Sequence, residues 1–505
     1  MAKLQTRVAF HAKRFKEFLK AVTRSKRGLL GIIIIAFFVG IALSAPLLAH
    51  NDPIYDRDVA GKWAMPSWFK YFIPDKVNEN FITIKEPGFN TLNSIADWNI
   101  TIQRQPNAII LVEYNKTFGS PESGQGCLQI IFRRIDPTLP SGESKVIIEP
   151  KNVYYHPSVT PPSRFKVDAL FYIKNIEKIE ASIKISIIHN ENETTLYFAK
   201  QSSTTEWVEP EPDIDTYNMN FNDLFAEYTG QPGVNPSQIV FYEPGYYKLR
   251  VELTIRDNIE EPNDEVSTVF IDDLNFRTYG NSFGLLGTDQ EGRDIFSQLV
   301  YGSRLSLFVG LLSAGISVFV GLLVGLAAGY IGGIVDEVLM RITDALLVIP
   351  TLPLLIVLIA VLQPSVWNII FAIGVLGWMG FARTVRSQTL SLKERAFIEA
   401  AKASGAGTFH IIRQHIIPNV MSLVYVSLAT GVPSAIISEA ALSWLGLFDP
   451  NVISWGKMLH DAQSYIEQWW WIVPPGLCIA ILSLAFILIG YAIDEILNPK
   501  LRRRY

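Results

Sequence analysis

The sequence predicts a polytopic α-helical membrane protein of six transmembrane helices, with an inserted all-β, sandwich-like external domain. Three observations carry this prediction. Hydrophobic residues make up 49% of the chain but are unevenly placed, so that a polar middle lies between apolar regions. Six runs reach or approach the roughly 20 apolar residues that cross a bilayer. The polar middle alternates apolar and polar residues with period two and carries only weak helix signals.

In chain order, residues 1–28 form a basic tail. Lys3, Arg7, Lys13, Arg14, Lys16, Lys20, Arg24, Lys26 and Arg27 stand against one acid, Glu17, which keeps this end in the cytoplasm. The first apolar run, 29–49, gives a first transmembrane helix within 29–50. Ala42 to Ala45 has the small-residue pattern of a signal cleavage site. The run is too long and its basic leader too extended for a usual signal peptide, so an uncleaved signal anchor is expected.

Residues 51–285 form the extracytoplasmic β-rich domain, long enough for a core of its own. Strand-like runs fall at 81–84, 108–112, 128–132, 145–148, 169–173, 181–188, 195–198, 246–255 and 266–276. Leu249, Val251, Leu253 and Ile255 point one way. Turn residues cluster at 121–126, 137–142, 161–162 and 230–236. The layout reads as a sandwich or jelly roll. Residues 269–276 are similar to the last strand of carbohydrate-binding-module sandwiches, although acidic turn residues explain the same pattern. Trp98, Trp207, Tyr228 and Tyr242 could stack on sugars or fill a core. Sequons start at Asn99, Asn115 and Asn192 and allow glycosylation without requiring it. Cys127 and Cys478 lie in different environments and are not expected to pair, and the seven histidines show no metal-ligand spacing.

Residues 286–505 hold the remaining five spans, near 305–330, 346–362, 367–381, 420–443 and 472–493. Gly287 and Gly292 allow a sharp turn before the second span, and Asp289, Arg293 and Asp294 can pair to hold it. Either a gate near a docking surface or a salt-bridged turn fits. Gly321, Gly325 and Gly329 recur every fourth residue and point to close helix packing. Arg341 and Asp344, one turn apart, are expected to pair. Pro350 and Pro353 loosen the third span into a possible pivot. Glu439 is the costliest charge in this region. It should face the pathway or a partner, or else reach water at the interface. Trp444 and Trp469, Trp470 and Trp471 suit an external interface as anchors.

Between the fourth and fifth spans runs a cytoplasmic loop, 383–419, rich in Arg and Lys. Ser391 and Glu394 form a capping box for a first short helix, Gly405 can end it, Thr408 can cap a second, and Pro418 limits that one. Glu399, Ala400 and Ala401, then three residues, Gly405, nine residues, and a His415-Ile416-Ile417-Pro418-Asn419 ending together resemble the signature loop of ABC importer permeases, in their dipeptide and oligopeptide branch. Gly287-Thr288-Asp289 with Gly292-Arg293-Asp294, Gly332-Gly333 with Asp336, and the Leu442-to-Gly446 piece are similar to further elements of that family.

The resemblance covers about 1–50 and 281–505 and departs from the family in the size of the insert. It implies the ABC importer permease fold and a role in peptide uptake at the plasma or inner membrane; the basic C-terminal Lys500 and Arg502 to Arg504, with an even number of spans, put both termini in the cytoplasm. It also implies a hetero-oligomer: a second homologous permease, two ATPase subunits that bind ATP and Mg, and an external solute-binding protein. Glu399, Ala400, Ala401, Gly405, His415 and Pro418 would couple to the ATPases; Asp289, Arg293, Asp294, Glu439 and Trp444 would serve the gate. No GxxxxGK[ST] phosphate loop occurs, so the chain is read as a non-catalytic subunit without cofactor or metal of its own, and no feature suggests nucleic-acid binding. Oligosaccharide import by the same machinery, or a membrane receptor with a β-sandwich ectodomain, are the alternative readings.

Overall fold

The computed structural model describes residues 22–497 except 84–86, 122–123, 125, 136–141, 159, 175–178, 202 and 258–265. The basic residues of 1–20, Ile84, half of the turn at 121–126, most of that at 137–142, and the C-terminal Lys500 and Arg502 to Arg504 lie outside the described residues. Two compact units emerge. One is Asp58–Arg293, and the other joins the chain before it to the chain after it.

The joined unit begins with helix α1 (Lys26–Leu48). The inserted unit is built on two antiparallel sheets of six strands each. In the first, β10 (Ile214–Asp215), β7 (Arg164–Lys174), β12 (Ser267–Tyr279), β4 (Cys127–Arg134) and β3 (Ala108–Asn115) are neighbours in that order, and β1 (Phe81–Ile82) also pairs with β12. In the second the order is β2 (Trp98–Gln103), β5 (Glu143–Pro150), β11 (Gly245–Asp257), β8 (Ile179–His189), β9 (Asn192–Gln201), with β6 (Tyr154–His156) on β11. Period-two patterning drives the burial. Leu249, Val251, Leu253 and Ile255 are all at most 1% exposed, and they share one core with Ile130, Phe132, Val269 and Ile271 of the other sheet. Two helices went unread in the sequence. Helix α2 (Met219–Thr229) starts on the Asn218 side chain, which accepts from Asn220 N–H, and stops at Gly230; α3 (Pro236–Val240) starts on Asn235.

The joined unit continues with α4 (Ile295–Ile331), α5 (Gly333–Val348), α6 (Thr351–Leu362), α7 (Val366–Leu376), α8 (Met379–Lys393), α9 (Ala396–Ala403), α10 (Thr408–Ile411), α11 (Ile417–Trp444), α12 (Trp455–Ala462) and α13 (Trp469–Leu497). Among the described residues, five helices are long and apolar enough to cross a membrane, and six spans result if the bent pair α5–α6 counts as one. That pair turns by 92° around Ile349 and Pro350, where the anticipated pivot lies. The glycine stripe packs α4 on α8. A β-carbon at Gly321 would meet the Trp378 carbonyl at 2.9 Å, one at Gly325 the Ala382 carbonyl at 2.6 Å, and one at Gly329 the Arg386 carbonyl at 2.9 Å.

Several local expectations need correction. The Ser391/Glu394 capping box does not start a helix. Helix α8 runs through Ser391 to Lys393 because Leu392 is buried with Leu326 and Val385, and the break comes at Arg395 in an extended conformation. Thr408 is the first helical residue rather than a cap, and Gly407 precedes it without a side-chain bond. Pro418 does not end the second short helix. A π-helical stretch, Ile412–Ile416, leads directly into α11, with Pro418 in its first turn. The wider π turn gives the ring room, and a missing N–H costs little there. Trp471 is fully buried and stacked on Tyr465 at 5.8 Å, so it is no interface anchor; Trp469 is exposed.

Candidate coupling hairpin and pathway residues

Helices α9 and α10 form a hairpin with one buried and one open side. Ile398, Ile411 and Ile416 are at most 1% exposed and join a single core with Leu326 of α4, Val385 of α8 and Val420 of α11. Glu399, Ala400, Gly405 and Phe409 are exposed, and Phe409 keeps 75% of its surface free. Glu399 lies in the first turn of α9, where a carboxylate suits the helix dipole.

The corner is a Schellman motif. Gly405 N–H bonds the Lys402 carbonyl at 2.9 Å and Ala406 N–H bonds the Ala401 carbonyl at 3.0 Å. Gly405 has φ +81°, a conformation that costs any residue with a β-carbon. Ala401 is half-buried under this corner, and His415 rests within the π stretch beside Phe397 and His410. The Asn419 side chain donates to the His415 carbonyl at 2.6 Å. The structure therefore brings Glu399, Ala400, Ala401, Gly405 and His415 onto one hairpin, with Pro418 at its exit.

Two ion pairs hold α5 against α8, the helix that feeds this hairpin. Arg386 grips both oxygens of Asp336, the second at 2.6 Å, and Arg383 pairs with Asp344. The expected Arg341–Asp344 pair does not form, because Arg341 turns to Glu337 at 2.9 Å and Asp344 is taken by Arg383. Lys393 closes the same side by donating to the Tyr330 carbonyl at 2.7 Å. Sequence reading missed these ties, since each partner lies 39 to 63 positions away.

The residues expected at a gate are placed as follows. In the inserted unit Asp289 is fully buried and accepts Arg293 Nε at 2.7 Å and the backbone N–H groups of Glu291 and Arg293. Gly287 and Gly292, at φ +75° and +71°, make the turn around it. Asp294 does not pair with Arg293. It caps α4, accepting from Phe296 and Ser297 N–H and from the Ser297 hydroxyl at 2.6 Å. Glu439 is 3% exposed and so reaches neither water nor the surface of its unit. One oxygen of its carboxylate accepts the Ser443 hydroxyl at 2.8 Å, and the other has no hydrogen-bond partner among the described residues. Trp444, 40% exposed, ends α11, and its carbonyl takes a hydrogen bond from His460.

The aromatics considered for sugar stacking do not assemble into a platform. Trp98 is buried on Phe89, Trp207 sits against Phe118 and Tyr172, and Tyr228 and Tyr242 are exposed on separate segments.

Comparison with known proteins places this geometry. Residues 321–503 match the family described as binding-protein-dependent transport system inner membrane component. The dipeptide transport system permease protein of Bacillus subtilis (strain 168) is 41% identical over 220 residues, 43% of this chain and 69% of that protein. The oligopeptide transport system permease protein of the same organism is 38% identical over 219 residues, 43% of this chain and 72% of its own length. A solved methionine ABC transporter in inward-facing conformations matches 40% of this chain and 94% of its own at 20% identity and a TM-score of 0.33.

Proposed function

This chain belongs to the family of binding-protein-dependent transport system inner membrane components, and on that premise we propose how it works as the permease subunit of an ABC importer of the dipeptide and oligopeptide type. The chain forms the solute pathway with a second, homologous permease. Two ATPase subunits, which carry ATP and Mg, engage the hairpin of α9 and α10 from the cytoplasm. An external binding protein delivers di- or oligopeptides on the side of the inserted unit. In this reading α5–α6 is one bent span of six, both termini are cytoplasmic, and Asp58–Arg293 lies outside as a β-sandwich.

One observation carries the reading. The hairpin presents Glu399, Ala400 and Phe409 outward while Ile398, Ile411 and Ile416 fix it in the core that α4, α8 and α11 share. A push on its open face is therefore passed to three helices without slack, because packed interiors do not yield continuously. The π stretch joins the hairpin to α11 without a loop, so α11 follows the push most directly. In this scheme Asp294, Glu439 and Trp444 serve the gate from the membrane unit, and Asp289 and Arg293 serve it from the inserted unit.

Charge reversal tests the coupling. Glu399→Lys and Gly405→Arg should each lower ATP-dependent uptake of a labelled dipeptide into membrane vesicles by at least about tenfold, a loss of roughly 1.4 kcal/mol of coupling. Immunoblotting should find the chain in the membrane at its usual level. Normal uptake in both variants would falsify the mechanism.

A further inference from the structure

A cavity of about 380 Å³ lies among α4, α7, α8 and α11, within the membrane-spanning unit. Six hydroxyl side chains line it: Ser313, Ser317, Thr384, Ser427, Thr430 and Ser434. None of its lining residues carries a charge. Thr384, Thr430 and Ser434 are exposed, so the cavity opens onto the surface of the unit. Thr430 and Ser434 fall near the middle of α11, at a depth where lipid is a poor neighbour for a polar cluster. The remaining surface of the same helices is unlike it, with Phe319, Leu323, Phe371 and Ile437 exposed.

We infer that this hydroxyl-lined, uncharged cavity is the chain's own share of the solute passage, and that its wall accepts peptides whatever the sign of their charge. The inference rests on the permease reading above and adds the residues that meet the solute. The hydroxyls cost little when the cavity holds water alone. Thr430 donates to the Val426 carbonyl at 3.1 Å and Thr384 to the Gly380 carbonyl at 3.1 Å, which leaves their lone pairs for a passing ammonium or amide. Each hydroxyl can also rotate and donate to a carboxylate. A fixed charge in the wall would hold peptides of the opposite sign and repel those of the same sign, whereas passage requires that no site bind too tightly to let go. Gly380 also lines the cavity, and a β-carbon built on it meets nothing within 4 Å. A side chain there therefore starts from open space beside the cavity.

Two measurements on the assembled complex decide the matter. In a Cys127→Ala, Cys478→Ala background, Thr430→Cys and Ser434→Cys should react with cationic and anionic water-soluble thiol reagents at rates within about threefold of each other. Gly40→Cys, on the exposed face of α1, should be inert. Gly380→Trp should lower uptake of labelled dipeptides at least about tenfold while the second permease and the ATPases still co-purify, and Gly40→Trp should leave uptake unchanged. Inert cysteines, or reaction with reagents of one sign only, would overturn the inference. Loss of the second permease in Gly380→Trp would also overturn it, by making the cavity a helix-packing surface. A wild-type complex that imports no peptide would count against the peptide reading, while the thiol reactions would still report on the passage.

Discussion

His156 shows how much a single buried group sets in the inserted unit. Its side chain is fully buried at the end of β6, with Tyr154 at 3.4 Å from Nδ1 and no hydrogen-bond partner for Nε2 among the described residues. Burial, and then the nearby His189, push its pKa down from 6.5 to about 4. The unfolded chain thus binds a proton near pH 6.5 that the folded chain refuses until about pH 4. Stability from this group is complete above pH 6.5 and falls as the pH drops through that window, by up to about 1.4 kcal/mol per pH unit. Thermal unfolding of the full chain in detergent, followed by the fluorescence of the buried Trp98, should show that loss between pH 6.5 and 5, and His156→Phe should flatten it. An unchanged slope in the variant would assign the acid sensitivity elsewhere. Gly405 works at the same scale in the other unit. Its φ of +81° turns the chain between α9 and α10, and a β-carbon built on it would meet nothing within 4 Å, so the demand is conformational rather than steric. Gly405 was legible in the sequence because a left-handed corner has a residue signature, whereas a buried histidine has none.

At the level of elements, two kinds of contact hold the hairpin and its neighbours. Apolar burial of Ile398, Ile411 and Ile416 fixes the hairpin to α4, α8 and α11, and the Asp336–Arg386 and Asp344–Arg383 pairs fix α5 to α8. The second kind is partly solvent-screened and so contributes less stability than geometry, keeping α5 in step with α8. Arg386→Asp should uncouple the machine, with ATP hydrolysis by the purified complex retained and peptide uptake reduced about five- to tenfold. The double variant Asp336→Arg, Arg386→Asp should recover most of the uptake. Failure of the swap to rescue would mean that Arg386 acts through something other than Asp336.

These ties also mark where sequence reading stopped. The hydrophobic runs gave the long apolar helices, and strict alternation at Leu249 to Ile255 gave β11, since both signals are local. Ser391 and Glu394 carried a valid local cap signal that the burial of Leu392 outweighed. Pro418 read as a stop and proved compatible with a continuous helix once a π turn preceded it. Asp344 read as a partner for Arg341, one turn away, and found Arg383 across a helix interface. Each miss is a tertiary contact overriding a local preference.

For the molecule as a whole, the division of labour follows the division into units. The inserted unit has a core of its own across two sheets. The membrane unit instead leaves a polar cavity and a polar hairpin face uncovered, at Thr430 and at Glu399, and both call for partners. The measurement that bears most directly on this account is the native mass and composition of whatever the tagged full chain forms when membranes are solubilised gently. The complex should contain one further permease, two ATPase copies and, on a fraction of particles, a solute-binding protein. A chain recovered alone or only with copies of itself, from a preparation in which other membrane complexes stay intact, would contradict the importer.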